Sequence, residues 1–78
     1  MFKNYYLILD VNKEVSSEEI KRAYKNQARR WHPDLNPGID TTQNMQDVNE
    51  AYLILSDTET RNRYDIEYER FINIEFDN

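Results

Sequence analysis

Apolar and small side chains recur at helical spacing in two long segments of the chain. After Ser16, one face is formed by residues three or four positions apart, namely Ile20, Ala23, Tyr24, Gln27, Ala28 and Trp31. The same spacing returns after residue 41, at Met45, Val48, Ala51, Tyr52 and Leu55. Residues three and four apart lie on the same side of an α-helix. The sequence therefore predicts two amphipathic helices whose apolar faces pack against each other.

The first long helix has clear start and stop signals. Ser16 can cap it, Glu19 can close a capping box, and Val15 can pack on Ile20 as a hydrophobic staple. Pro33 lacks a backbone donor and disfavours helical geometry at the preceding residue, so we expect the helix to end at Trp31 or His32. The polar loop that follows, residues 33–40, has a length that favours an antiparallel helical hairpin.

A short helix is expected at each end of this hairpin. The segment 4–9 is too brief for periodicity to decide between helix and strand, but the chain offers no second strand to pair with it, which favours helix. Asp40 or Thr41 is expected to cap the second long helix.

The last helix is predicted from residue 56 onward. Ser56 and Asp57 are both candidate caps, with Glu59 closing a box from Ser56. The residues that indicate its inner face are Arg61, Tyr64, Tyr68 and Phe71. The predicted fold is therefore all-α, with one domain over residues 1–72 and a frayed tail over 73–78.

Composition narrows the classes of function. The chain has 78 residues, 38% of them hydrophobic and 32% charged, which is typical of one small globular domain. It has no cysteine and a single histidine, so we expect neither a metal site nor a cofactor. Its longest apolar run, Leu7–Leu9, is far too short for a membrane span or a signal peptide. We expect a soluble, cytoplasmic monomer with no membrane partner.

The net charge of −5 is unevenly distributed. Residues 15–34 carry +2, whereas residues 35–78 carry −7. Arg22, Lys25 and Arg29, with Lys21 beside them, form a basic stripe on the predicted outer face of the first long helix. An acidic chain with one basic patch favours an acidic protein surface as partner over nucleic acid. The alternative is that the stripe is simply a solvated helix face.

The turn His32-Pro33-Asp34, called the HPD turn below, is the candidate site. It lies in a polar loop, so we expect both polar side chains to face solvent. Three alternatives are a histidine placed at a helix end by the helix dipole, a nucleic-acid-binding domain, and an enzyme built on His32 and Asp34. The enzyme is disfavoured because neighbours across a proline leave no third group and no evident pocket.

In their order and spacing, several motifs together resemble the J-domain of the DnaJ co-chaperone family. They are Tyr5-Tyr6-Leu7-Ile8-Leu9, the segment 20–28, His32-Pro33-Asp34, Asn49-Glu50-Ala51-Tyr52, Leu55-Ser56-Asp57, and Arg61 with Tyr64-Asp65. The resemblance implies a four-helix domain, with the HPD turn at the hairpin tip. It also implies docking on a DnaK-type heat-shock chaperone of the seventy-kilodalton class, whose ATP hydrolysis the domain stimulates without being an enzyme itself.

The resemblance also implies roles for particular residues. The basic stripe would attract the chaperone, Tyr24 would support it, and the HPD turn would deliver the signal; Asn36 is assigned to the same partner-binding set. The chain departs from the family at four positions. Many members carry glycine at Asp10, arginine at Leu35, an aromatic residue at Met45 and lysine at Gln46.

Overall fold

Four α-helices follow one another in the computed structural model, which describes residues 2–76. They are α1 (Tyr5–Ile8), α2 (Ser17–Arg30), α3 (Thr42–Leu55) and α4 (Thr58–Phe76), with a 3-10 turn at Pro33–Leu35 between α2 and α3. Residues 2–76 contain no strand. The predicted all-α class is therefore confirmed, and the segment 4–9 is helical as expected.

The long helices α2 and α3 pack as the predicted antiparallel hairpin. Tyr24 of α2 stacks on Tyr52 of α3 with ring centroids 4.3 Å apart, whereas Trp31, two turns later on α2, lines a groove together with Val48, one turn earlier on α3. Positions that advance along α2 thus meet positions that recede along α3. The HPD turn consequently lies at the connecting end of the hairpin.

The core forms where α1 lies across the hairpin. Its fully buried members, each at most 1% exposed, are Tyr6, Leu9, Ile20, Val48, Ala51 and Leu55. The expectation that Tyr24, Ala28, Trp31 and Tyr52 belong to this core was only partly right, because all four are half-buried. Tyr24, Trp31 and Tyr52 pack against the buried cluster from outside.

The start of α2 is the predicted capping box. The backbone N–H of Glu19 donates to Ser16 Oγ at 3.1 Å, and the N–H of Ser16 donates to Glu19 Oε1 at 3.4 Å. Val15 and Ile20 are both buried, as a hydrophobic staple requires. These contacts fix the position from which α2 runs toward the HPD turn.

Of the two candidate caps for α3, Asp40 supplies the hydrogen bond. Its carboxylate accepts from the backbone N–H of Thr42 at 3.0 Å, whereas the side chain of Thr41 makes no capping bond. The hydrogen bonds from Thr42 hold the pKa of Asp40 below its usual value.

The prediction of a short last helix was wrong, because α4 spans 19 residues and is the longest helix of residues 2–76. Residues 73–76, predicted as frayed tail, belong to it, and residues 77 and 78 lie outside the described part. The aromatic face of α4 includes Phe71, whose ring stacks on Phe2 with centroids 4.4 Å apart.

The predicted Ser56–Glu59 capping box is also wrong. Asp57 caps α4 instead, accepting from the backbone N–H of Thr60 at 2.9 Å. Ser56 cannot serve because it still ends α3, with helical backbone angles and its N–H bonded to the carbonyl of Tyr52.

Arg61 of α4 fastens the α1–α2 connection to the body of the domain. Its guanidinium donates to the carbonyls of Lys13 (3.0 Å) and Val15 (2.7 Å) and to the hydroxyl of Tyr6 (3.1 Å). The Tyr6 hydroxyl in turn donates to the carboxylate of Asp65. This partly buried network anchors the residues that lead into α2.

Candidate functional site

The HPD turn begins where α2 stops. The N–H groups of Trp31 and His32 still donate to carbonyls of α2, those of Gln27 and Arg29. His32 itself has extended backbone angles (φ −64°, ψ 135°), as a residue before proline prefers. The chain then closes a 3-10 turn, in which the N–H of Leu35 donates to the carbonyl of His32 at 3.0 Å and that of Asn36 to the carbonyl of Pro33 at 3.1 Å. The turn therefore has a defined backbone.

The imidazole of His32 is oriented by the turn itself. Its Nδ1 accepts a hydrogen bond from the backbone N–H of Asp34 at 3.1 Å. Because Nδ1 is the acceptor, the neutral ring carries its hydrogen on Nε2. The 3.8 Å between Nδ1 and Asp34 Oδ2 is too long for a hydrogen bond, so the two side chains are not paired.

Both polar side chains of the turn remain open to solvent. The side chain of His32 is 55% exposed and that of Asp34 is 89% exposed. The turn thus presents a donor at His32 Nε2 and an acceptor at the Asp34 carboxylate. Within the described residues, the carboxylate of Asp34 accepts no hydrogen bond. Its charge therefore makes no stabilising contact in this part of the domain.

Asn36 holds the turn against the end of α2. Its side-chain amide donates to the carbonyls of Arg30 and His32, both at 2.8 Å. Carbonyls in the last turn of a helix have no intrahelical partner, and the bond to Arg30 supplies one. Asn36 is predicted from the sequence as a partner-binding residue, but this structural role is not evident there. The available signal was an asparagine directly after a helix stop, a residue type that often bonds to nearby backbone.

The basic stripe is exposed along α2. Arg22, Lys25 and Arg29 all face solvent, as does Lys21. Among the side chains that the structure describes, none of these four cations forms an ion pair. The stripe runs toward the HPD turn, since Arg29 lies in the last turn of α2.

Tyr24 lies apart from the stripe, on the side of α2 that faces α3. Its ring stacks on Tyr52, and its hydroxyl donates to Asn49 Oδ1 at 3.0 Å. The ring is half-buried, so part of it remains exposed to solvent. Of the predicted site residues, the structure brings together those of the HPD turn and Asn36, while Tyr24 joins the two helices.

Other kinds of site find no support in the described residues. They contain no cluster of histidine and carboxylate groups able to hold a metal ion, and none of their helices is long and apolar enough to cross a membrane. A groove of about 280 Å³ between α1, α2 and α3 and one of about 210 Å³ beside Arg22 both exclude His32 and Asp34. An enzyme centred on the HPD turn would therefore have neither groove as its pocket.

The sequence profile of the DnaJ domain matches residues 4–65. The chain belongs to the DnaJ domain family. The matched range contains the basic stripe, the HPD turn, Asn36 and the Arg61 network. The remainder of α4, residues 66–76, lies beyond it.

Curated relatives of this DnaJ domain carry the name Chaperone protein DnaJ. The chain is 50% identical over 64 residues to the protein from Ruminiclostridium cellulolyticum and 48% identical over 63 residues to that from Pediococcus pentosaceus. It is 49% identical over 63 residues to Chaperone protein DnaJ 2 from Thermus thermophilus. Each alignment covers 81% of this chain but only 17%, 17% and 22% of the respective relative. The similarity is thus to one domain of longer proteins.

Proposed function

We propose that this DnaJ domain docks on a DnaK-type chaperone of the seventy-kilodalton class and stimulates its ATP hydrolysis, which promotes capture and folding of client proteins. The observation that carries the proposal is the HPD turn. Its backbone is fixed by hydrogen bonds, yet its Asp34 carboxylate and His32 Nε2 face solvent without a partner in the described fold. Such groups are available to a second protein.

The basic stripe supports the same partner. Its cations are exposed and unpaired within the described residues, and they lead along α2 to the turn. A row of like charges raises the rate of encounter with an oppositely charged surface and helps to orient the two proteins. In this account the stripe guides docking, Tyr24 supports the helix pair behind it, and the HPD turn transmits the signal.

The domain supplies no catalytic group for ATP hydrolysis in this proposal. Histidine and aspartate at the turn have no third side chain to orient them as an acid–base pair, and neither groove described above includes them. The chemistry belongs to the chaperone, whose conformation the docked domain changes. We place the pair in the cytoplasm, where ATP is available, and we expect the free domain to be monomeric.

Single-turnover ATP hydrolysis tests the proposal. A DnaK-type chaperone preloaded with ATP is mixed with increasing amounts of this domain, and the hydrolysis rate is recorded. We expect the rate to rise and then saturate, whereas the domain alone with ATP should give no hydrolysis. A rate independent of the domain at every concentration would refute the proposal.

A further inference from the structure

Two large apolar side chains project into solvent from the loop that carries the HPD turn. Leu35, the last residue of the 3-10 turn, is 62% exposed, and Ile39, four residues later, is 63% exposed. Four residues separate their Cα atoms by at most about 14 Å, so the two can contact one surface. We call Leu35 and Ile39 the apolar loop pair.

The fold gives this pair no internal role. The core cluster and the residues packed against it include neither side chain. The loop is held instead by backbone hydrogen bonds and by the side chains of Asn36 and Asp40. Exposed single apolar residues are common, but these two flank one short segment next to the candidate site.

The charges of the loop bear on how it could bind a partner. Between residues 31 and 41 the acidic side chains are Asp34 and Asp40, and there is no lysine or arginine. The loop therefore cannot add electrostatic attraction to the acidic surface that suits the basic stripe. The large exposed apolar side chains of the loop, Leu35 and Ile39, can instead add affinity by apolar contact.

We infer that the apolar loop pair packs into an apolar recess of the same chaperone, next to the acidic surface that receives the basic stripe. This inference rests on the proposed function and adds a partner chemistry to it, because the docking surface then has an acidic part for α2 and an apolar part for the loop. Burial of Leu35 and Ile39 strengthens docking, while the HPD turn between the stripe and the pair carries the signal. Added salt does not screen the apolar part of the affinity, whereas it weakens the part due to the stripe.

The double substitution L35S/I39S tests the pair in a titration of single-turnover ATP hydrolysis and in direct binding to the chaperone. Burying one leucine side chain corresponds to roughly a tenfold gain in affinity or more, so the concentration for half-maximal stimulation should rise about tenfold or more. The rate at saturation should stay at the parental value because the HPD turn is intact. The melting temperature should also stay, since both side chains are exposed.

Two control variants separate apolar contact from other effects. Ile66 of α4 is 57% exposed and distant in sequence from the loop, so I66S repeats the change in polarity elsewhere and should leave the titration unchanged. L35M/I39V keeps apolar surface at both positions and should remain within about twofold of the parent.

The possible outcomes distinguish this inference from the proposed function. If the parent stimulates the chaperone and L35S/I39S has the same half-maximal concentration, the apolar contact is refuted while the proposed function stands. If the parent neither binds nor stimulates, both are refuted. A parallel rise for I66S would also overturn the inference, because the effect would then not belong to the loop. The expected result is a tenfold or greater shift confined to L35S/I39S.

Discussion

The side-chain amide of Asn36 donates a 2.8 Å hydrogen bond to the backbone carbonyl of Arg30, across the whole HPD turn. A second bond of the same length reaches the carbonyl of His32. The amide thus connects the end of the 3-10 turn to the last turn of α2. Because its two hydrogens are used within the domain, Asn36 fixes the direction in which His32 and Asp34 point.

We predict that Asn36→Ala weakens both the fold and the function. Loss of these bonds should lower the free energy of unfolding by about 1 kcal/mol, and the loosened turn should lower the saturating rate of chaperone stimulation. Urea unfolding and single-turnover hydrolysis measure the two effects. Asn62→Ala, at an exposed position of α4, is the control and should change neither. Lower stimulation with parental stability would instead indicate that Asn36 acts only through contact with the partner.

Asp10 occupies the left-handed region, with φ of 60°, in the bend after α1. Aspartate tolerates this conformation better than most residues, but glycine adopts it without steric cost. Asp10→Gly should therefore raise the free energy of unfolding by about 0.5 to 1 kcal/mol, part of the gain being offset by the greater freedom of glycine in the unfolded chain. Asp10→Ala, which keeps a Cβ at positive φ, should not stabilise. A lower melting temperature for Asp10→Gly would contradict this reading of the bend.

The parts of the fold that the sequence predicted are those encoded by neighbouring residues. The Ser16–Glu19 box, the stop at Pro33 and the facing stripes of α2 and α3 depend on spacings of a few positions, which can be read directly. The length of α4 could not be predicted in this way. The helix packs on residues far away in sequence, as where Phe71 stacks on Phe2, and the spacing of nearby positions does not reveal such contacts.

In the candidate site, too, some features could be predicted from the sequence and others could not. Exposure of the HPD turn and of the basic stripe followed from polarity and helical spacing. The hydrogen bond from Asp34 to His32 Nδ1, which selects the ring tautomer, and the two bonds of Asn36 depend on backbone angles in the loop. Residue types alone do not determine such angles. The roles of Arg22, Tyr24, Lys25, Arg29 and the HPD residues in partner binding remain predictions.

The stability of the fold should fall at alkaline pH because the tyrosines that join α1 to α4 lose their hydroxyl protons. Burial raises the pKa of Tyr6 and that of Tyr64 to about 12, from an ordinary value of 10.0, and burial with the hydrogen bond to Glu50 raises that of Tyr5. The unfolded chain therefore loses these protons first as pH rises. The stabilisation is complete below pH 10 and is lost progressively toward pH 12.

Thermal unfolding followed by circular dichroism at a series of pH values checks this expectation. The melting temperature should decline steeply above about pH 10, and Tyr6→Phe, which removes one titrating group, should make the decline shallower. An equally steep decline in Tyr6→Phe would show that the Tyr6 hydroxyl does not contribute to it.

Charge reversal tests the basic stripe. R22E/K25E should slow association with a DnaK-type chaperone by about tenfold or more at low salt, with a smaller difference at high salt, because exposed charges are screened. The melting temperature should change little, since both side chains are exposed and unpaired within the described residues. R63E/R70E imposes the same change in net charge on α4 and should leave the association rate near the parental value. Equal rates for the parent and R22E/K25E would leave the stripe as a solvated helix face.

Replacement of Asp34 tests the HPD turn, on which the whole account depends. Asp34→Asn keeps the shape of the side chain and the backbone N–H that bonds to His32, but it removes the charge. Because the carboxylate is 89% exposed and accepts no hydrogen bond in the described fold, helicity and melting temperature should match the parent. Glu14→Gln, which neutralises another exposed carboxylate, is the control and should be indistinguishable from the parent in every assay.

The decisive measurement is the single-turnover rate of ATP hydrolysis by a DnaK-type chaperone at a saturating concentration of each variant. We expect stimulation to collapse for Asp34→Asn and to persist for Glu14→Gln, because Asp34→Asn removes a charge-assisted hydrogen bond buried at the interface and leaves its partner unsatisfied. Stimulation by Asp34→Asn at the parental rate would contradict the proposed role of the turn.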